Sequence, residues 1–189
     1  MVSPIQFRSL TSLDLPRVQG WLQELHVAQF WRNHGQSWEE IATRYLVRIQ
    51  SEVVRPYLVL VDGHAIGFIQ SSWASRVGEG WWGDVDDHTI ALNFYIGDSA
   101  YLGRGYGPAI LRAFIQKLVA ESQVGEIRRF IVDPQPENVR AIRTYQRAGF
   151  VAQGLVNTPD GLAQLMEIRL PRENYALALA YSQLASTLD

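Results

Sequence analysis

A glycine-rich turn is the part of the chain whose residue types and spacing could most directly do chemistry. It reads Tyr101-Leu102-Gly103-Arg104-Gly105-Tyr106-Gly107-Pro108, and apolar residues recur behind it at helical spacing, from Ile110 to Leu118. Because glycine has no Cβ, the backbone of such a turn can approach a ligand closely. A helix that begins here would direct unpaired N–H groups at the same place, which favours an anion such as phosphate. A turn that serves only the close packing of a strand against a helix would show the same pattern.

A second stretch combines carboxylates with tryptophans. Between residues 76 and 98 the sequence has Glu79, Asp84, Asp86, Asp87 and Asp98 against the single base Arg76. Trp81 and Trp82 lie within it, and because two adjacent indoles cannot easily both be buried, we expect at least one of them to line a site. Acidic groups attract a polycationic ligand, and indole rings stack on sugar or cationic faces. An ordinary solvated acidic loop has the same composition.

The composition limits the functional classes. A chain of 189 residues with 47% hydrophobic residues suits a single domain, residues 1–189, with a substantial core. Its net charge of −2 argues against a nucleic acid or an anionic membrane as partner. Without cysteine the chain forms neither a disulfide nor a thiolate metal site, and we predict no metal ligands. Since we find no signal peptide and no apolar run long enough to span a membrane, we expect a cytoplasmic protein.

The elements that must position these residues follow an α+β order. Alternating apolar residues predict strands at residues 2–10, 56–61, 65–73, 89–97, 126–133, 150–156 and 162–170. Helical spacing and caps predict a helix at 13–25 with Ser12 as its N-cap, a second helix after the cap Ser37, and further helices at 108–120, 137–148 and 172–188. We also predict an irregular segment at 26–36 and a long loop at 75–87. The terminal helix could pair two subunits or dock on its own sheet, so both a monomer and a homodimer stay open.

Together these features resemble the GNAT superfamily of acyl-CoA-dependent N-acetyltransferases. The likeness rests on the strand at 89–97 with its glycine turn and helix, and on a later strand and helix that carry Asn138, Ala141, Tyr145, Gly149 and Phe150. It extends over about residues 2–170. It implies the GNAT fold, a mixed and mostly antiparallel sheet of six to seven strands flanked by helices, with residues 172–188 as an extra C-terminal helix.

Within that superfamily the chain is most similar to the aminoglycoside 6'-N-acetyltransferases. The motifs that carry this likeness are Glu79-Gly80-Trp81-Trp82, Tyr101-Leu102-Gly103-Arg104-Gly105, Asp133-Pro134-Gln135-Pro136-Glu137-Asn138, Ala148-Gly149-Phe150 and Thr158-Pro159-Asp160-Gly161. The likeness implies an enzyme of the antibiotic-resistance type that moves acetyl from acetyl-CoA directly to a primary amine of a cationic acceptor, in a ternary complex. Siderophore-type lysine acyltransferases share several of these motifs. A siderophore precursor, a polyamine or another small amine therefore stays open as the acceptor, as does a CoA-binding module without turnover.

The resemblance also implies roles for individual residues. The strand at 89–97 supplies amides that stabilise the oxyanion near a bulge, and it splays from the next strand to admit the pantetheine arm. The cofactor-binding residues are then Tyr95, Ile96, Leu102, Gly103, Arg104, Gly105, Tyr106, Gly107, Asn138, Ala141 and Tyr145, with Tyr145 also matching the general acid toward the departing thiolate. The substrate-binding residues are Trp31, Glu79, Trp81, Trp82, Asn93, Asp133 and Asp160.

One position departs from the related enzymes. They have an aspartate, suited to the role of general base, on the strand before the glycine turn, and Asn93 stands at that position in this chain. Because an amide cannot take up a proton at neutral pH, another group or a water relay must act as the base. Glu79 and Asp133 are the catalytic candidates, and bringing one amine to its neutral form is worth a factor of about 100 to 10,000.

Overall fold

The protein is built around one mixed β-sheet with helices on both faces. The computed structural model describes residues 4–31, 36–77, 80–123 and 126–171. The strands in these ranges are β1 (Ile5–Ser9), β2 (Val54–Val61), β3 (His64–Trp73), β4 (Thr89–Ile96), β5 (Arg129–Val132), β6 (Val151–Thr158) and β7 (Gly161–Arg169). The α-helices are α1 (Leu15–Gln23), α2 (Leu25–Ala28), α3 (Trp38–Ile49), α4 (Ala74–Val77), α5 (Tyr106–Glu121) and α6 (Val139–Ala148).

The sheet has seven strands in the order β1-β2-β3-β4-β5-β7-β6. Neighbouring strands are antiparallel except β4 and β5, which run parallel. A parallel pair needs a crossover connection, and α5 provides it. The predicted α+β class, with a mixed and mostly antiparallel sheet of six to seven strands, is confirmed. The predicted C-terminal helix at 172–188 lies outside the described residues.

Apolar side chains on the two faces of the sheet form two large cores, and a smaller third cluster contains Trp82. On one face α5 and α6 pack against the sheet around the fully buried Phe114. On the other face α1 and α3 cover the sheet, with Trp31 packed at their side. Because side chains alternate between the faces of a strand, Phe94 and Tyr95 of β4 point into different cores. β4 is therefore held in place from both sides.

The sheet opens between β4 and β5. The two strands pair only over residues 89–91 and 129–131. Beyond that point β5 soon ends at Val132, whereas β4 continues to Ile96. In the described part of the chain, the rest of β4 therefore has β3 on one side and no strand on the other. This opening has the form of the predicted splay.

The glycine turn leads into α5, which begins at Tyr106, two residues before the predicted start at Pro108. Its N-cap is Gly105, with φ of 82°, a left-handed conformation that favours glycine. Gly107 has a different reason to be glycine, since a Cβ there would lie 2.7 Å from Cγ2 of Thr144 in α6. One glycine of the turn therefore serves helix packing, while the other serves the backbone path.

The first helical region differs from its prediction. Ser12 does not cap it: Asp14 accepts hydrogen bonds from the backbone N–H and the hydroxyl of Thr11, at 2.9 and 2.8 Å, so a 3-10 turn precedes α1. Asp14 also forms an ion pair with Arg8 at 2.7 Å. At Glu24 the chain becomes extended, so α1 ends two residues before the predicted end at Leu25. The short α2 that follows lies almost entirely in the segment 26–36, which was predicted to be irregular.

Three further boundaries were wrong by a few residues. The predicted loop at 75–87 begins with a helical turn, α4. The strand predicted at 126–133 is shorter, because β5 covers only its central part. The last described helix, α6, begins after Asn138, since Asn138 is its N-cap.

Candidate active site

A cavity of about 480 Å³ lies where the sheet opens between β4 and β5. Predicted site residues from distant segments line it together: Trp31, Trp81, Trp82, Asn93, Asp133, Asn138, Ala141, Tyr145 and Asp160. A second hollow of about 530 Å³, near Arg8 and His64, contains none of the predicted site residues. Glu79 lies outside the described residues, so its catalytic and substrate-binding roles stay predictions.

Asp133 stands directly after β5, where the opening begins. Trp82 donates a hydrogen bond from Nε1 to Oδ2 of this carboxylate at 2.8 Å. Burial raises the pKa of Asp133 from 3.8 to about 6, and the negative charge of Asp160 adds to the rise, whereas the Trp82 hydrogen bond opposes it. A carboxylate with such a pKa is ionised at neutral pH yet basic enough to accept a proton from an ammonium or amine.

Tyr145 reaches the cavity from α6. The Ala141 N–H donates to Oδ1 of Asn138 at 3.1 Å, which fixes the start of this helix. Asn138, Ala141 and Tyr145 are spaced by three and four residues, so they share one helix face, and all three line the cavity. The Tyr145 ring packs on Phe150 with a centroid distance of 5.6 Å. Burial raises the pKa of the Tyr145 phenol well above its usual value, and the charge of Asp133 raises it further.

Asn93 belongs to a chain of polar side chains that the sequence did not reveal. Gln70 of β3 donates a hydrogen bond from Nε2 to Oδ1 of Asn93 at 3.0 Å. Arg48 of α3 donates from Nη1 to Oε1 of the same Gln70, at 3.3 Å. All three residues line the cavity. Residue 93 is thus an amide that is linked through glutamine to an arginine.

The glycine turn lies beside the cavity rather than in its lining. Leu102, Gly103, Arg104, Gly105, Tyr106 and Gly107 are absent from the residues that enclose it. A Cβ added at Gly103 or Gly105 would meet nothing within 4 Å, so the space in front of the turn is open. No side chain caps α5, which leaves its first N–H groups available. These features fit a bound diphosphate, as the sequence predicts.

Only some backbone N–H groups of β4 face the opening between β4 and β5. Gly97 N–H donates to Ile66 O of β3 at 2.8 Å, and hydrogen bonds of an antiparallel pair alternate along the strand. The N–H groups of Tyr95 and Asn93 therefore face β3, and those of Phe94 and Ile96 face the opening. Tyr95 also buries its side chain in the core around α1 and α3. Its predicted role as a cofactor-binding residue stays a prediction.

The bulge that the resemblance implied in this strand is also missing. The register of β3 with β4 runs without a shift from residue 67 to residue 73 and from 96 to 90. Register shifts occur instead between Val59 and Leu60 in the β2–β3 pair, and between Ala152 and Gly154 in the β6–β7 pair. The available amides of β4 therefore result from the end of β5 and not from an irregularity of β4 itself.

Most of the predicted acidic stretch turns away from the cavity. Asp86 accepts from the Thr89 hydroxyl at 2.6 Å, and Asp87 accepts from the Ser75 hydroxyl at 2.7 Å. Asp98 caps a 3-10 turn after β4. Since Asp84, Asp86, Asp87 and Asp98 do not line the cavity, its described carboxylates are Asp133 and Asp160.

The cavity is also lined by two arginines that the sequence analysis did not predict. Arg44 and Arg48 extend from α3, at positions three residues after the buried Ile41 and Tyr45. The stripe 41, 44, 45, 48 has the spacing of a buried helix face. Arginines at two positions of an apolar stripe are the signal that could have identified them.

The described residues contain neither a metal-binding cluster nor a membrane-spanning helix. Among the described residues, no group of three His, Cys, Asp or Glu side chains could hold a metal ion. Within the same ranges, no helix has the length and apolar character required to cross a bilayer.

A sheet that opens beside a glycine turn, with the Asp133 carboxylate and the Tyr145 phenol in the opening, is the arrangement expected from the resemblance to the GNAT superfamily. The family model described as an acetyltransferase (GNAT) domain matches residues 11–158. The chain therefore belongs to the GNAT acetyltransferase family. Membership confirms the predicted enzyme class, an acyltransferase, and the predicted acyl donor, acetyl-CoA.

Several proteins that are similar to this chain are aminoglycoside acetyltransferases. The chain is 33% identical over 166 residues to aminoglycoside N(6')-acetyltransferase type 1 of Klebsiella pneumoniae, which covers 86% of this chain and 81% of that protein. The solved structure of AAC(6')-Ib with paromomycin and acetyl-CoA has a TM-score of 0.80 at 32% identity, covering 88% of this chain and 94% of that one. AAC(6')-Ib with coenzyme A and kanamycin gives 0.78 at 32% identity, with 88% and 95% coverage. The predicted likeness to aminoglycoside 6'-N-acetyltransferases is confirmed.

Proposed function

We propose that the protein transfers acetyl from acetyl-CoA directly to a primary amine of a cationic acceptor, the 6'-amine of an aminoglycoside. The observation that carries this proposal is that Asp133 and Tyr145 meet in one cavity, close enough for the charge of one to shift the pKa of the other. One of them suits proton acceptance and the other suits donation to a leaving group. The relatives named above act on or bind aminoglycosides, which supports this acceptor.

Acetyl-CoA supplies an activated acyl group, and the protein has to hold it at the opening of the sheet. The free amides from Arg104 to Gly107 and the dipole of α5 suit its diphosphate. The N–H groups of Phe94 and Ile96 suit the pantetheine arm and the charge that develops on the acyl oxygen. On the face of α6, Asn138 and Ala141 complete this side of the site.

Asp133 acts as the base in this proposal. It takes a proton from the acceptor amine as the amine nitrogen bonds to the acetyl carbon. Its pKa of about 6 leaves it mostly ionised at neutral pH, and Trp82 holds one oxygen in place. The loss of the relatives' aspartate at Asn93 therefore leaves the site with a base of its own, to which Glu79 would be a second candidate.

Tyr145 acts on the departing sulfur. Because its raised pKa keeps the phenol protonated over the whole working range, a hydrogen-bond donor is always present where the C–S bond breaks. The thiolate gains the phenol proton there as the amine loses one to Asp133, and the proton on Asp133 then restores the phenol, so the products are the amide and the CoA thiol. The absence of cysteine from the chain agrees with direct transfer in a ternary complex, without an acyl-cysteine.

The wider assignment forms part of the same proposal. We treat residues 1–189 as one acetyltransferase domain, since a single sheet runs from β1 to β7. We propose a cytoplasmic protein, monomeric or homodimeric, with a small-molecule acceptor and no nucleic-acid partner. The net charge of −2 supports the last point.

Steady-state kinetics test the proposal. Kanamycin and tobramycin are offered with acetyl-CoA, thiol release is followed, and the acetylated position is read by NMR. We expect single acetylation at the 6'-amine. If CoA raises the melting temperature but neither aminoglycoside is acetylated, the aminoglycoside assignment fails.

A further inference from the structure

Within the described residues, the cavity contains a cation that has no ion-pair partner. Arg48 lines it and forms no ion pair with any carboxylate of the described residues. Its guanidinium lies over the Tyr45 ring at 5.6 Å and donates one hydrogen bond, to Gln70. Burial lowers the pKa of Arg48, and Asp160 attracts it only from a longer distance. An arginine stays protonated at neutral pH, so the cavity holds a partly desolvated positive charge.

The hydrogen bonds from Arg48 have a fixed direction. Arginine has donors only, so the Gln70 atom that faces it must be the carbonyl oxygen. The amide nitrogen of Gln70 must then donate to the carbonyl oxygen of Asn93. This leaves the Nδ2 group of Asn93, with two N–H donors, as the group that Asn93 offers to a ligand. Arg48 and Asn93 thus present mainly donors, since the Asn93 oxygen is already engaged by Gln70.

A surface made of donors rejects an ammonium group and attracts an oxygen with lone pairs. A carboxylate suits it best, because it accepts charge-assisted hydrogen bonds and neutralises the unpaired guanidinium. Asp133 provides the opposite chemistry elsewhere in the same lining, since it attracts an ammonium or amine. Arg44 lies one helical turn before Arg48 and also lines the cavity.

We propose that the cavity also accepts a second class of substrate, primary amines that carry a carboxylate, with the carboxylate bound at Arg48 and Asn93 and the amine at Asp133. This inference rests on the proposed N-acetyl transfer and extends it to zwitterionic acceptors. The chemistry is unchanged: the amine nitrogen bonds to the acetyl carbon, the C–S bond breaks, Asp133 takes the amine proton and the sulfur gains one at Tyr145. What changes is the group that orients the acceptor.

Two matched series of small amines test the inference. One series contains ω-amino acids from β-alanine to 6-aminohexanoate, and the other contains α,ω-diamines of the same lengths. Each pair differs in the charge at the far end of the molecule. We expect at least one ω-amino acid to exceed its diamine in kcat/KM by about tenfold or more, the effect of a charge-assisted hydrogen bond to a guanidinium. The chain length at the maximum then measures the span from Arg48 to the reacting amine.

Substitutions at Arg48 test whether this residue causes the preference for a carboxylate. Arg48→Leu should abolish the preference for the carboxylate, while Arg48→Lys should retain part of it. Arg55→Leu is the matched control, because it removes the same charge from an exposed residue outside the cavity and should leave the ratio unchanged. Since the result is a ratio between two acceptors, a general loss of activity does not imitate it.

The two proposals fail in different ways. Equal or better turnover of the diamines at every length, with kanamycin still acetylated, overturns the inference alone. So does a preference for carboxylates that survives in Arg48→Leu. Failure with every acceptor, kanamycin included, overturns the proposed function and this inference with it. Calorimetric titration of 6-aminohexanoate into the CoA-loaded protein should also show binding that Arg48→Leu weakens by about tenfold.

Discussion

Asp133 offers a test in which stability and activity move in opposite directions. We predict that Asp133→Asn stabilises the folded protein at neutral pH and lowers kcat. The pKa of this carboxyl is about 6 in the folded protein against 3.8 for an unperturbed aspartate. Between these values the folded state holds a proton that the unfolded state has released. Stability therefore falls as the pH rises through this window, and above it the buried charge destabilises the fold by a constant amount.

The size of the effect follows from the shift in pKa. A rise of about two units corresponds to about 3 kcal/mol at pH 8 and to about 1 kcal/mol at pH 4.5. Water in the cavity screens the charge, so we expect a gain of about 1–3 kcal/mol at pH 8, or a Tm higher by several degrees. Asparagine has the same shape, and its oxygen can still accept the hydrogen bond that Trp82 donates at 2.8 Å. The substitution thus removes the charge and retains the contact.

Urea and thermal unfolding of both proteins at pH 4.5 and pH 8 provide the measurement, without CoA or acceptor, together with kcat at pH 8. Asp84→Asn is the matched control, since it removes an exposed carboxylate of the same region outside the cavity. We expect it to change neither quantity. A variant at Asp133 that is no more stable than the native protein at pH 8 would refute the desolvation argument. Unchanged kcat would show that another group is the base.

Three other substitutions give separate tests. Tyr145→Phe should lower kcat by about 100-fold or more while the Kd for acetyl-CoA stays the same, since only the hydroxyl is removed; stopped-flow turnover and calorimetry measure the two. Trp82→Phe removes a hydrogen bond that lowers the pKa of Asp133, so the acidic limb of the pH profile of kcat/KM should move to higher pH. Gly107→Ala should destabilise the protein by about 1–3 kcal/mol in urea unfolding, because its Cβ meets the Thr144 methyl group.

Each of these tests has its own contrary result. Full turnover without the phenol would remove Tyr145 from the acid role. An acidic limb that stays in place without the indole N–H would separate Trp82 from the titrating group. For Gly107→Ala the control is Thr144→Ser, which deletes the methyl group and can keep the hydroxyl bond to Arg140 O at 2.9 Å. The combined variant should recover part of the lost stability, and a purely additive result would contradict the clash.

The order of elements could be predicted because each signal for it is local. A glycine turn before an apolar stripe fixes α5, and Asn138 with its following helix fixes α6. Boundaries failed where two residues competed for one role. Thr11 and Ser12 are both good N-caps, and only the spacing to Asp14, which lies three residues after Thr11, decides between them. The extended residue at Glu24 has no signal in its own type.

The site was predictable as a set of residues and less so as a set of functions. The resemblance identified Asp133 and Tyr145 as candidate site residues. It could not show the raised pKa of Asp133, because that pKa depends on burial and on Trp82, which lies 51 residues away in the chain. The acidic stretch was misleading because a high density of charged residues in a sequence does not show where their side chains point. Asp86 and Asp87 accept hydrogen bonds from hydroxyl groups at the ends of the neighbouring β4 and α4, and they do not line the cavity.

The interpretation of Asn93 depends on the side chains around it in the fold. In the sequence it reads as the loss of a base, because it can be compared only with the aspartate of related enzymes. In the fold its carbonyl oxygen is already engaged by Gln70, and Gln70 is oriented by Arg48. A carboxylate at residue 93 would be drawn into the same network and would neutralise the arginine through it. In the proposed complex with a zwitterionic acceptor, the amide at residue 93 leaves the positive charge of Arg48 for the acceptor, so Asn93 and Arg48 together determine what the cavity recognises.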